Sequence, residues 1–331
     1  MSNLPHYTVA VAGSTTYTTA CAQVLQQNKN FSVPWVLTPF PRLIGRQQTL
    51  TPSPLQNWAK TEQISIINLD QQIDQSIKEK IQKKEKPDFL LVVDFGYLIP
   101  EWLLNWPNNS PLNIHPSALP KWRGSSPGQY AILNNDKHSA VSLMQVNQEL
   151  DQGAVYYQQK FTIQPQWNHK DYYVFSFDQI IPLLPDLLTQ IADKKLTAKP
   201  QVKTSPTKIT KRIEKQDAFI DWQILASCMN GSLNGQMKHA EPSLDLNEKF
   251  LLAEKLKQTA KENWPQLIHQ ASKAFSPWPL LWTKIPTKKG SRRMQILKTQ
   301  IATNGKLVLE KVKIAGQQTA NWNQVKNILA D

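Results

Sequence analysis

The residues whose types and spacing invite chemistry lie between 112 and 153. Asn113 and His115 stand two apart in LNIHPSALPKWRG (112–124), and Asp151 follows in LDQG (150–153). On a strand end, residues two apart project to one side, so both side chains could face a single reacting atom. The asparagine amide is a donor. The imidazole donates when protonated, and a carboxylate beside an imidazole favours that cation. Such a trio suits acyl transfer to an amine. Attack on a carbonyl builds an oxyanion that Asn113 and a protonated His115 could stabilise. The attacking amine must also lose a proton, and a carboxylate can accept it directly or through water. Spacing alone leaves a plainer reading open, because N-x-H is a common triplet and histidines are often hydrogen-bonded core residues.

An alternation of strands and helices surrounds these residues. YTVAVA (7–12) reads as a short buried strand closed by Gly13, with a helix over about 16–27 and a second strand near 33–38. Residues 39–57 hold Pro39, Pro41, Pro52, Pro54 and Gly45, and read as a loop. ISIINL (64–69), a Lys/Gln-rich helix near 70–85 and DFLLVVDFG (88–96) repeat the pattern. The last is almost continuously apolar, as in a parallel strand covered on both faces. The alternation predicts a doubly wound α/β sheet. A helix is expected over 127–135 and a strand at 142–146. Residues 196–207 (LTAKPQVKTSPT) read as a linker. Beyond it, residues 244–273 read as helical. LLWTKI (280–285), RMQILK (293–298) and KLVLEKVKI (306–314) look like strands of a small β-barrel.

Charge divides the 331 residues unevenly. Residues 1–200 carry 17 Lys/Arg against 15 Asp/Glu, or +2; residues 201–331 carry 21 against 10, or +11; together these give the net +13. A basic excess in one half fits a polyanion-binding surface there, or simply a solvated lysine-rich one. The two cysteines, Cys21 and Cys228, are far apart in sequence and make neither a disulfide framework nor a zinc cluster, as in a reducing compartment. No stretch approaches the ~20 apolar residues of a membrane helix, and the N-terminus lacks the pattern of an export signal. A cytoplasmic protein without a metal, and a monomer, is expected.

Residues 112–136 and 141–158 resemble the core of the folate-dependent formyltransferases, which pair Asn-x-His-x-Ser-x-Leu-Pro with a later Leu-Asp-x-Gly. The resemblance implies that Asn113, His115 and Asp151 are catalytic. Four further matches resemble the members that formylate initiator methionyl-tRNA. PRLIGRQQTLTPSP (41–54) matches their tRNA-contacting loop, with Arg42 and Arg46 on its arginines. DFGYLIP (94–100) matches a folate-binding stretch. KITK (208–211) with FIDW (219–222) matches the entry to a second domain, and PWP (277–279) the start of its barrel. The resemblance thus implies a Rossmann-like formyltransferase domain over 1–195 and, after the linker, an OB-like tRNA-binding domain over 208–331. The co-substrate implied is 10-formyltetrahydrofolate, contacted by Phe95, Gly96, Tyr97, Leu98, Ser117, Leu119 and Pro120. The reaction the resemblance implies is formyl transfer to the free amino group of the charged initiator tRNA, for translation initiation.

Several positions depart from the family pattern. Gln47, Gln48 and Thr49 stand where lysines are usual, Gly128 where isoleucine is common, and Phe95 where a tyrosine is usual. Residues 223–270 read as a possible insertion. Arg123 reads equally well as a helix-entry residue or a substrate contact, and Trp122 as core. His138, His169, His239 and His269 read as surface or packing residues. Two alternatives stay open: an enzyme of the same fold acting on an amino sugar or nucleotide, and a tRNA-binding homologue without catalysis.

Overall fold

The apolar runs seen in the sequence become the middle of a mostly parallel sheet. The computed structural model describes residues 6–45, 47–231 and 250–329. Its first ten strands are β1 (Tyr7–Gly13), β2 (Phe31–Ser32), β3 (Trp35–Pro39), β4 (Arg42–Ile44), β5 (Thr49–Thr51), β6 (Ser65–Leu69), β7 (Phe89–Val93), β8 (Leu112–His115), β9 (His138–Gln145) and β10 (Val155–Thr162). The main sheet runs β10-β9-β8-β7-β1-β3-β6, with β2 beside β1. The pairs β6/β3, β3/β1, β1/β7 and β7/β8 are parallel, and β8/β9 is antiparallel. β7 is buried along its whole length, as a central parallel strand must be. On one side of the sheet Ala10, Ala12, Trp35, Leu37, Leu69, Leu90 and Val92 pack with Ile77 and Ile81 of the helix Gln75–Gln82.

The segment 39–57 is not the continuous loop expected. β4 and β5 pair as an antiparallel hairpin, Arg42 opposite Thr51 and Ile44 opposite Thr49. A helix, Pro54–Thr61, then begins with Ser53 as its cap, the Ser53 hydroxyl accepting from the Gln56 amide at 3.0 Å. Serine before proline is a helix start, because proline tolerates the first helical position and serine satisfies a free amide. The prolines mark boundaries of elements here rather than their absence. β10 and the helices His169–Ile180 and Leu184–Ala192 are further elements that the sequence did not announce.

The described chain forms two units. One comprises Met1–Gly124, Ser139–Phe161 and Val174–Ile209; the other comprises Ser125–His138, Thr162–Tyr173 and Thr210–Asp331. The segment 196–207 therefore belongs wholly to the first unit. Lys199 is held there by paired backbone hydrogen bonds with Val155 at 2.9 and 2.8 Å.

In the second unit, β11 (Leu281–Thr287), β12 (Gly290–Ile301), β13 (Leu307–Ile314) and β14 (Thr319–Asn321) form an antiparallel sheet in sequence order. Leu281, Thr283, Ile285 and Thr287 point inward while Lys284 and Pro286 point out, the alternation of a sheet covered on one face. The helix Trp264–Ala274 packs on β12 and on the helix Pro127–Leu133. Gly128 lies on that second helix, and a side chain there would press into the Tyr172 ring, at 2.6 Å from a Cβ. The volume an isoleucine would need is filled here by tyrosine. Of the possible insertion 223–270, residues 232–249 lie outside the described residues, as does His239. The remainder forms helices Trp222–Asn230, Leu251–Gln258 and Trp264–Ala274.

Candidate active site

Asn113 and His115 sit at the carboxyl end of β8, where ligands of open α/β sheets bind. Both reach Asp151, although 38 and 36 residues separate them from it in sequence. Asn113 Nδ2 donates to Asp151 Oδ1 at 3.4 Å, and His115 Nδ1 lies 3.6 Å from Asp151 Oδ2. The backbone amide of Gly124 donates to the same Oδ2 at 2.7 Å. Asp151 has φ +51°, a left-handed conformation that aspartate tolerates better than most residues. Gly153 follows, where a Cβ would collide with the Gln145 carbonyl, so the turn closes tightly against β9.

His115 is only 5% exposed. Its Nε2 lies 3.0 Å from the Trp122 carbonyl. A carbonyl can only accept, so Nε2 carries a proton. Trp122 turns this carbonyl inward by adopting φ +58°, a conformation costing a bulky residue about 1–3 kcal/mol. Its amide is held by the Thr207 hydroxyl at 2.8 Å. Trp122 is buried, as read from the sequence. Arg123 is buried as well, bonded to Gln201 and the Val202 carbonyl.

A family model described as formyl transferase matches residues 7–176. Methionyl-tRNA formyltransferase of Nitrosomonas eutropha is 31% identical over 218 residues, covering 65% of this chain and 67% of that protein. The chain belongs to the formyltransferase family. Methionyl-tRNA formyltransferase of Wolbachia pipientis (Culex pipiens) is 36% identical over 163 residues, 48% of this chain. The match spans about half (52%) of that relative's own length. In fold, the chain is similar to an N-formyltransferase from Helicobacter canadensis solved with folinic acid and dTDP-3-aminofucose. The TM-score is 0.57 at 17% identity, covering 89% of this chain and 87% of that one.

The segment 94–100 alternates. Phe95, Tyr97 and Ile99 pack onto the core, while Leu98 stands 89% exposed. Ser117, expected beside folate, is fully buried, and its hydroxyl donates to the Lys121 carbonyl at 2.7 Å. Leu119 is buried, and the Pro120 carbonyl accepts from the Ser205 hydroxyl at 2.7 Å. Arg42 Nη2 donates to the Tyr97 hydroxyl at 2.7 Å, and that hydroxyl donates to the Asp70 carbonyl at 3.1 Å. The Phe95 and Tyr97 rings lie 5.1 Å apart. Arg46 lies outside the described residues. Gln48 forms the hairpin turn at φ +50°, its side-chain amide on the Gly45 carbonyl at 2.8 Å.

Sequence reading missed the Gly124 amide, the Trp122 carbonyl and Gln201. Backbone groups carry no residue signature, and Gln201 sits in a polar stretch that reads as a linker. Among the described residues no helix is long and apolar enough to cross a membrane. Nor, among them, does any cluster of three or more His, Cys, Asp or Glu side chains stand where it could hold a metal.

Proposed function

We propose that this chain transfers a formyl group from 10-formyltetrahydrofolate to the amino group of initiator methionyl-tRNA, for translation initiation. The observation that carries this reading is the meeting of Asn113, His115 and Asp151 at the carboxyl end of β8, in a chain whose relatives are named for that reaction. The folate is a substrate and supplies the formyl group. Phe95, Gly96, Tyr97 and Leu98 would hold it, together with Leu119, Pro120 and the backbone at Ser117. The exposed, apolar Leu98 on a loop anchored from beneath fits a flat, partly apolar ligand.

Asn113 donates to the oxyanion that forms as the amine attacks. His115 does the same by turning its Nε2 proton from the Trp122 carbonyl to the reacting oxygen. Hydrogen bonds in an unliganded site often rearrange in this way. Asp151, held against both residues, keeps them oriented and assists removal of the amine proton; as the oxyanion collapses, the bond from the formyl carbon to the folate nitrogen breaks and the departing tetrahydrofolate takes up a proton. The first unit is the catalytic domain.

The second unit, whose residues 210–331 carry 19 Lys/Arg against 10 Asp/Glu, or +9, binds the tRNA backbone. Lys284, Lys298, Lys311 and Lys313 stand exposed on its strands. Arg42 and Arg46 place the acceptor end. The enzyme works in the cytoplasm as a monomer.

The test is formyl transfer to charged initiator tRNA, charged elongator tRNA and a nucleotide-linked amino sugar, across a salt series. Initiator tRNA should be the fastest acceptor, with an affinity that falls steeply with salt as phosphates shed counterions. Preferred formylation of the amino sugar, or tRNA binding without any transfer, would overturn the reading.

A further inference from the structure

We propose that Arg123 and Gln201 are positioning residues for Asp151, an inference that rests on the reading of Asp151 just given. Arg123 is 4% exposed. A buried guanidinium must have its donors satisfied, since desolvation otherwise costs several kcal/mol. Its Nε and Nη2 both donate to Gln201 Oε1, at 3.0 and 2.8 Å, and Nη2 also donates to the Val202 carbonyl at 3.1 Å. With its oxygen on the cation, the Gln201 amide can face only one way. Its Nε2 donates to the carbonyls of Asp151 and Gly153, at 2.9 and 2.8 Å. Arg123 Nε and Nη2 and Gln201 Nε2 each meet an acceptor, and Gln201 Oε1 meets donors, so the arrangement is self-consistent.

The contacts close a ring through Asp151. The amide of Gly124, the residue after Arg123, donates to the Asp151 carboxylate at 2.7 Å. The side chain of Arg123 steers Gln201 onto the backbone carbonyl of the same aspartate. One dipeptide, Arg123–Gly124, thereby holds both ends of Asp151. Gln201 is itself anchored through the neighbouring Lys199–Val155 pairing. The stretch that reads as a linker is a brace for the turn 151–153. Its purpose is the angle at which the carboxylate meets Asn113 and His115, because an error of about 1 Å in a reacting group can cost about 100-fold in rate.

The experiment measures steady-state and single-turnover formylation of methionyl-tRNA by the full chain. It uses Gln201→Leu, which keeps volume but removes donor and acceptor, in wild-type and Asp151→Asn backgrounds. Gln201→Leu should lower kcat about 10–100-fold and leave KM for both substrates within about twofold. In the Asp151→Asn background it should add less than about twofold, because two residues acting through one group are not additive. Arg123→Lys, which keeps the charge without the planar fork, should fall between the two. If Gln201→Leu yields no folded protein, Gln201→Asn is read by the same criteria. Unchanged kcat, or an equal loss in both backgrounds, overturns the proposal. Near-normal turnover of Asp151→Asn alone would instead remove Asp151 from the chemistry.

Discussion

Asp151 and Arg42 lie in the same unit and are held in opposite ways. Asp151 is gripped at its carboxylate by Gly124 and Asn113, faced by His115, and held at its backbone by Gln201. Arg42 stands on an exposed two-stranded hairpin and leans on one hydroxyl, that of Tyr97. The hairpin also turns Leu43 and Leu50 outward, 60% and 63% exposed. The difference matches the two tasks proposed for them. Stabilising a charge that exists only in the transition state needs groups fixed beforehand, so that nothing reorganises during reaction. Meeting a large, flexible polyanion needs a surface that can adjust, and exposed apolar side chains beside an arginine offer contact on arrival.

If that division holds, the largest effects follow from removing the fixed donors. Asn113→Ala and His115→Ala should each lower turnover roughly 10²–10³-fold, with a folded protein by circular dichroism and folate affinity little changed. Turnover within a few-fold of wild type in either variant would take that residue out of the mechanism. A smaller effect is expected at the hairpin's support. Tyr97→Phe removes a hydrogen bond to a charged group, worth about 1.5–3 kcal/mol at most when buried and less on a surface. It should raise KM for charged tRNA about threefold while kcat holds. A fall in kcat instead would place Tyr97 with the fixed residues.

The smallest effect is on stability and concerns an imidazole outside the site. Burial, and next the charge of Lys273, lower the pKa of His269 to about 4, against about 6.5 for a free histidine. Its Nδ1 lies 2.9 Å from the Thr299 hydroxyl, which also meets Ser272 at 2.8 Å. Between those two pH values the unfolded chain binds a proton that the folded chain does not. Stability is therefore lost as pH falls from about 6.5 toward 4. Tm measured at pH 7 and pH 5 should drop less in His269→Gln than in wild type. An identical drop would show that another group, such as the half-buried His169, whose pKa burial also lowers, carries the acid sensitivity.

The braced and the adjustable regions were unequally legible in the sequence. The parallel core could be read because β1 and β7 are apolar runs that only a covered strand can use. Asn113, His115 and Asp151 could be named because their side-chain types suit acyl transfer. What holds them could not. Trp122 contributes a carbonyl through a positive φ, and Gly124 contributes an amide; neither leaves a mark in residue type. Gln201 makes its contacts across 50 residues of chain to the Asp151 carbonyl, from a stretch rich in Lys, Thr and Pro that looks solvated. The hairpin β4–β5 was hidden differently. Prolines at both ends signalled a loop, while three-residue strands with outward Leu and Ile give no inward alternation to recognise.

The division between fixing and adjusting is tested most directly by single-turnover formylation of methionyl-tRNA at saturating folate, with tRNA concentration varied, for Asp151→Asn and Arg42→Ala. Asp151→Asn should lower the limiting rate while the tRNA concentration giving half that rate stays within about twofold. Arg42→Ala should raise that half-saturating concentration about tenfold, equivalent to about 1.4 kcal/mol, with a smaller change in the limiting rate. The reverse pattern, with Asp151→Asn weakening tRNA binding and Arg42→Ala slowing only the chemical step, would contradict the account.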